Sequence, residues 1–219
     1  MKERWFGGGR RCLQKGIALL ERPDGLQKFV DQLEGGFAVA AIDPPGRQML
    51  DTAFSALKRV EISGGRKGER LAVCRYLDEV LDPSAFEGSG VSELAHSFAA
   101  LEPGLVWRRR AGASEGASSG FQDGHANAII VGPTGLEVRP DVTIGVTLLA
   151  PDVRYPDHTH RPEETYLVMS EGAFQNASTP WVSPGVGGTF HNEPEILHAM
   201  RSGTRPLLAF WVLWNGPQT

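Results

Sequence analysis

Between Tyr155 and Tyr166 the chain reads Tyr-Pro-Asp-His-Thr-His-Arg-Pro-Glu-Glu-Thr-Tyr, and this stretch limits the fold more than any other. Imidazole and carboxylate are the groups a divalent transition metal selects. A set of two histidines and one carboxylate also leaves coordination positions open for a substrate. His158, His160, Glu164 and Tyr166 all carry even numbers. Alternate residues of an extended strand share a face, so an unbulged strand aims all four into one interior. A helix would scatter the two histidines, and Pro162 opposes a helix interior. His198, in Glu-Pro-Glu-Ile-Leu-His-Ala-Met, is a further candidate downstream.

The pattern differs on the two sides of Ala111-Gly-Ala-Ser-Glu-Gly-Ala-Ser-Ser-Gly, a small, polar run that reads as a flexible connection. Upstream, Glu69 to Leu81 and Ser92 to Leu101 place apolar residues near helical spacing, with Pro83 and Pro103-Gly104 as stops. Gly25 to Leu33 and Thr52 to Val60 are weaker helices, with Asp43-Pro-Pro-Gly and Ser63-Gly-Gly as loops. Downstream come short β-rich runs at Ala128–Pro133, Val142–Pro151, Thr165–Ser170, Gly188–His191 and Leu207–Trp214. Closely spaced short strands favour an antiparallel sandwich or barrel. The expected fold is α+β: a helical N-terminal region, residues 1–110, packed on a C-terminal β-barrel, residues 121–219.

With 22 Lys and Arg against 26 Asp and Glu, the net charge of −4 gives no electrostatic reason for nucleic-acid binding. No run approaches the roughly 20 apolar residues of a membrane span, so no membrane partner is expected. Ile17-Ala-Leu-Leu is too short for a signal-peptide core, and a cytoplasmic protein is the default. Cys12 and Cys74 provide no disulfide framework and read as free thiols. Gly7-Gly-Gly-Arg-Arg follows no strand and lacks the Lys-Ser/Thr ending of a phosphate loop.

His158-Thr-His160-Arg-Pro-Glu-Glu164, followed by Gly172, resembles the first cupin motif, and Pro184-Gly185 followed by His198 resembles the second. Cupins are small jelly-roll-like barrels that hold a metal inside. The motif glycine lies one position late, at Gly172, which points to a one-residue bulge. Tyr155, Glu164-Thr-Tyr166-Leu-Val-Met-Ser, His198-Ala-Met-Arg-Ser and Pro206-Leu-Leu-Ala-Phe-Trp are similar to the cupin-type dimethylsulfoniopropionate (DMSP) lyases of marine bacteria. The likeness is strong from about Phe121 to Trp214 and loose before it.

The resemblance implies a carbon–sulfur lyase that cleaves DMSP to dimethyl sulfide and acrylate, with His158, His160, Glu164 and His198 holding one divalent ion. Nitrogen and oxygen ligands suit Fe, Mn, Ni, Co or Zn. A metal on the substrate carboxylate would stabilise the enediolate-like transition state formed as the alpha proton leaves. Tyr166 is the first choice of base, although a free phenol titrates near about 10 and needs a cation beside it. Tyr155 is the reserve, as base or as hydrogen-bond donor to the carboxylate. The sulfonium calls for an aromatic face, supplied by Trp181, Phe190, Trp211 or Trp214. Trp211 and Trp214 differ in parity, so a regular strand turns at most one inward.

Simpler roles suit the remaining candidates. His96 on a helix and His125 at a strand start read as structural or merely exposed, with the role of His125 open, His191 as a rim residue, and Glu163 as solvated opposite Glu164. Arg108-Arg-Arg reads as a solvated edge. The rival functions are another metal-dependent cupin enzyme, a dioxygenase or isomerase, and a non-catalytic small-molecule sensor; neither requires Tyr166. The helical half can serve as lid, barrel cover or the surface of a homodimer.

Overall fold

The computed structural model describes residues 21–65, 67–112 and 115–216. Cys12, the Gly7–Arg11 run and Ile17–Leu20 lie outside them. In order come α1 (Asp24–Val39), α2 (Pro44–Leu57), β1 (Ile62–Ser63), a 3-10 turn at Ala72–Tyr76 and α3 (Leu77–Val80). A second 3-10 turn (Pro83–Phe86), α4 (Ser92–Leu101), a third (Glu102–Gly104) and α5 (Phe121–Gly124) complete the helices. The strands are β2 (His125–Val131), β3 (Glu137–Val138), β4 (Val142–Leu149), β5 (Glu163–Val168), β6 (Ala173–Asn176), β7 (Thr179–Val182), β8 (Thr189–Asn192), β9 (His198–Arg201) and β10 (Leu207–Trp214). No helix among the described residues is long and apolar enough to cross a membrane.

Three helical expectations change. Asp43-Pro-Pro-Gly is no loop: it opens α2, where the Asp43 carboxylate accepts from the Gly46 N–H at 2.9 Å. Both prolines fall in the first turn, where a missing N–H removes no helical bond. Helix α1 runs beyond Leu33 through Gly35 and Gly36. A Cβ at Gly36 would lie 2.9 Å from Leu167 of β5, so the bare backbone lets helix and sheet approach closely. That contact offsets the ~1 kcal/mol a glycine costs in a helix. Residues 69–71 are not helical, because Glu69 is held extended by backbone hydrogen bonds with Leu105 and Trp107. Ser92–Leu101 forms the helix expected of it.

A seven-stranded sheet, ordered β1-β3-β2-β4-β10-β5-β8, faces a three-stranded sheet, β7-β6-β9. The fold is thus N-terminal helices followed by a β-barrel of two facing sheets. The small sheet was not foreseen as strands; its members are four residues long, and their burial pattern is too short to register as alternation. The large sheet is covered on both faces, so β4 is buried at every position and β10 nearly so. On its outer face Phe210 meets Phe29 of α1 at 5.3 Å and Phe98 of α4 at 4.9 Å. Each such ring removes about 150–250 Å² from water, a gross gain of about 4–6 kcal/mol. On the inner face Tyr166 meets Phe174 of the small sheet at 5.3 Å. Pairing through β5 is unbroken, so no bulge follows the motif there; a Cβ at Gly172 would instead press on Leu207, 2.7 Å away.

Candidate metal centre and active site

His158, His160, Glu164 and His198 do converge, but not along one strand. Arg161 and Pro162 break the extended chain, and β5 begins only at Glu163. His158 pairs instead with His198, each donating its backbone N–H to the other's carbonyl at 3.1 and 3.0 Å. Their rings lie 4.1 Å apart. Glu164 belongs to the large sheet, opposite Leu213 and Asn192. The four side chains therefore meet across the barrel from both sheets.

Each imidazole is oriented by its own backbone. His158 Nδ1 donates to the Pro156 carbonyl at 3.0 Å, His160 Nδ1 to Pro162 at 2.7 Å, and His198 Nδ1 to Ile196 at 2.9 Å. A carbonyl only accepts, so the proton sits on Nδ1 and Nε2 is left with a free lone pair, the usual arrangement of a metal-binding histidine. One ligand atom from each histidine lies within 4.8 Å of the others. Glu164 Oε2 is 3.3 Å from both His160 Nε2 and His198 Nε2. That is long for a charge-assisted hydrogen bond of about 2.7–2.9 Å. It suits ligands about 2.0–2.2 Å from a common ion, which sit roughly 3 Å apart. His198 Nε2 is buried without a hydrogen-bond partner. The donor set fits a divalent cation.

Burial governs the electrostatics. It pushes His158 down to about 4, with the neighbouring His198 adding to the effect. Burial would raise Glu164, but the His160 and His198 imidazoles, each 3.3 Å away, outweigh it to the extent that they are protonated and hold the carboxyl well below its ordinary range. Those Glu164 interactions also raise His160 against its own burial. Tyr155 is pushed up to about 12 by burial, and Tyr166 well above the ordinary phenol value by burial and then the Glu164 charge.

The aromatic candidates separate cleanly. Tyr166 lies between Trp211 on β10 and Phe190 on β8, its direct partners across the sheet. Trp211 fits there because β4 offers Gly145 opposite; a Cβ at that position would overlap the indole. Phe174 and Phe190 close the layer at 5.6 Å. Trp214 has the opposite parity and lies on the outer face beside Gln48, Asp51 and Ser55 of α2. Trp181 stacks under the Arg201 guanidinium at 4.3 Å and near Arg154 at 5.6 Å. Neither Trp181 nor Trp214 is brought to the interior.

Tyr155 is buried with its ring 5.1 Å from that of His158, and its hydroxyl accepts from Asn127 Nδ2 at 2.9 Å. Asn127, Thr147 and Asn192 carry polar groups into this interior and went unread in the sequence. The signal available was a threonine inside the aliphatic run Val142–Leu149. His125 stacks on Phe121 and uses both ring nitrogens, donating to the Phe121 carbonyl and accepting from the Arg110 N–H at 2.7 Å. His191 lies on the outer face against Gly46 and Thr165, with Nε2 3.2 Å from half-buried Glu163. His96 is exposed on α4, and Arg108 and Arg109 pair with Glu69 and Asp123.

A family model described as dimethylsulfoniopropionate lyase matches residues 46–209. A chain from the crystal structures of the DMSP lyases RdDddP and RnDddQII superposes with a TM-score of 0.65 at 19% identity, covering 88% of this chain and 93% of that one. DMSP lyase DddQ from Ruegeria pomeroyi DSS-3 gives 0.53 at 20% identity, covering 81% and 95%. A cupin-2 domain, Rru_A2000 from Rhodospirillum rubrum, gives 0.41 at 10% identity over 53% of this chain and 74% of that one. No curated protein matches the sequence.

Proposed function

The chain belongs to the dimethylsulfoniopropionate lyase family, and on that premise we propose that it cleaves DMSP to dimethyl sulfide and acrylate by metal-assisted β-elimination. His158, His160, Glu164 and His198 would hold the ion, each histidine presenting Nε2. A divalent cation there would draw charge from the substrate carboxylate and lower the proton affinity of a phenol beside it. Tyr166 takes the alpha proton. The C–H electron pair becomes the new double bond, and the C–S pair leaves with sulfur as neutral dimethyl sulfide. Trp211 and Phe190 flank Tyr166 and offer the sulfonium an apolar, π-rich wall, worth about 0.5–2 kcal/mol for a cation–π contact. Tyr155 faces the carboxylate end beside His158.

The observation that carries this reading is the place of Tyr166: buried, adjacent to Glu164, and centred in the aromatic layer. A dioxygenase or a sensor has no need of a phenol there. The test is anaerobic incubation of protein loaded separately with Fe(II), Mn(II), Ni(II), Co(II) or Zn(II) with DMSP. Dimethyl sulfide in the headspace, with one acrylate per sulfide, is the expected result. Stoichiometric metal loading with no sulfide from any of the five would refute it.

A further inference from the structure

A directed hydrogen-bond chain crosses the inner face of the large sheet from β10 through β4 to β2 and on to Tyr155. The Trp211 indole can only donate, and its N–H points to Thr147 Oγ1 at 3.1 Å. Thr147 passes its own proton to Asn127 Oδ1 at 2.7 Å. That fixes the amide: Oδ1 faces Thr147, and Nδ2 donates to the Tyr155 hydroxyl oxygen at 2.9 Å. Turning the amide over would set two donors against each other at Thr147 or strand the hydroxyl proton. Tyr155 thus has a lone pair engaged, and its single proton is directed away from Asn127. Among the described residues no acceptor takes that proton. The phenol stands beside His158, one of the residues that would hold the ion, with the ring centroids 5.1 Å apart.

We propose that Asn127 and Thr147, anchored by the Trp211 indole, are positioning residues that lock the Tyr155 hydroxyl as a donor to the substrate carboxylate. This rests on the lyase reading above and deepens it. Tyr155 holds the carboxylate, the base role falls to Tyr166, and one chain ties the sulfonium wall to the carboxylate end. Accepting from Asn127 also polarises the Tyr155 O–H and strengthens its donation.

The test compares Thr147→Val, which keeps shape and removes the hydroxyl, with Thr147→Ser, which restores it. Asn127→Asp is the third variant; it turns an acceptor toward Tyr155 and reclaims its proton. Calorimetry of acrylate binding to metal-loaded protein is read beside steady-state DMSP kinetics. Thr147→Val and Asn127→Asp should weaken acrylate binding and raise KM about tenfold, the loss of one hydrogen bond to a charged group. The change in kcat stays small, metal content is unchanged, and Thr147→Ser recovers the affinity. On a Tyr155→Phe background Thr147→Val should cost nothing further. An equal loss on that background, an affinity unmoved by Thr147→Val, or a wild-type protein that binds no acrylate overturns the proposal. Weakened acrylate binding in a protein that releases no dimethyl sulfide would sustain the relay and sink the lyase reading instead.

Discussion

Tyr166 lies two positions after Glu164 and His160 four before it, yet their replacement should have separable effects. Tyr166→Phe removes one oxygen from a buried ring that keeps its packing on Phe174. The expected outcome is a kcat lower by about 10²–10⁴-fold, the ordinary worth of a general base, with metal content by mass spectrometry near wild type. Retained activity would move the base elsewhere. His160→Ala removes a ligand, so both metal occupancy and rate should fall; full loading would undo the ligand assignment. His125 supplies a pH prediction away from the centre. Burial, then Arg109 and Arg110, lower its pKa from the ordinary 6.5. Below that value the unfolded chain binds a proton that the folded chain refuses, so stability should fall as pH drops through 6.5. Urea titrations at stepped pH should find a shallower slope in His125→Asn. The residue types of the centre were legible because imidazole, carboxylate and phenol have few reasons to cluster. Asn127 and Thr147 were not, since an amide and a hydroxyl gain meaning only from what they face.

At the level of elements, the pairing of Gly145 with Trp211 decides the shape of the aromatic layer. Sequence parity allowed one of Trp211 and Trp214 inside; the register Trp211↔Tyr166 settles which. Gly145→Ala should force the indole out of the layer, because the added methyl occupies its place. The expected signs are altered tryptophan fluorescence and a DMSP KM raised severalfold or more. An unchanged KM would show that the ring does not wall the substrate. Helix α2 teaches the reverse lesson about local signals. Asp43-Pro-Pro-Gly has turn composition, but the same residues make a capped helix start when apolar Met49, Leu50, Ala53 and Phe54 follow at helical spacing. The strand-parity argument reached the right interior by an incorrect path: two residues before β5 the chain bends, and His158 pairs with β9 instead.

Across the whole molecule, the helices and the barrel are joined by buried ions as well as by Phe29, Phe98 and Phe210. Glu137 on β3 accepts from Arg22 at 2.6 Å and from Arg139 at 3.0 Å, and Asp141 binds Arg139 at 2.7 Å. The two guanidiniums also donate to carbonyls at the end of α2, Leu57 at 2.7 Å and Ala56 at 2.9 Å, satisfying groups the helix leaves open. Glu137→Ala would strand the buried Arg22 guanidinium and leave Arg139 with Asp141 as its one carboxylate, and a loss of about 3–5 kcal/mol in denaturant unfolding is expected. A loss below about 1 kcal/mol would mean that water replaces the carboxylate freely. None of this network was visible in the sequence, since Arg22 and Glu137 are 115 positions apart. What the sequence determined alone was the order of helices before strands, the chemistry available to the centre, and stops such as Pro83 and Pro103-Gly104. These depend on side-chain type and spacing, which are local. The closing of two sheets over the cluster of His158, His160, Glu164 and His198, the choice of Trp211, and the direction of each hydrogen bond at Tyr155 were decided only in three dimensions. Contacts between distant segments have no period to read, and a donor's direction exists only once its acceptor has a position.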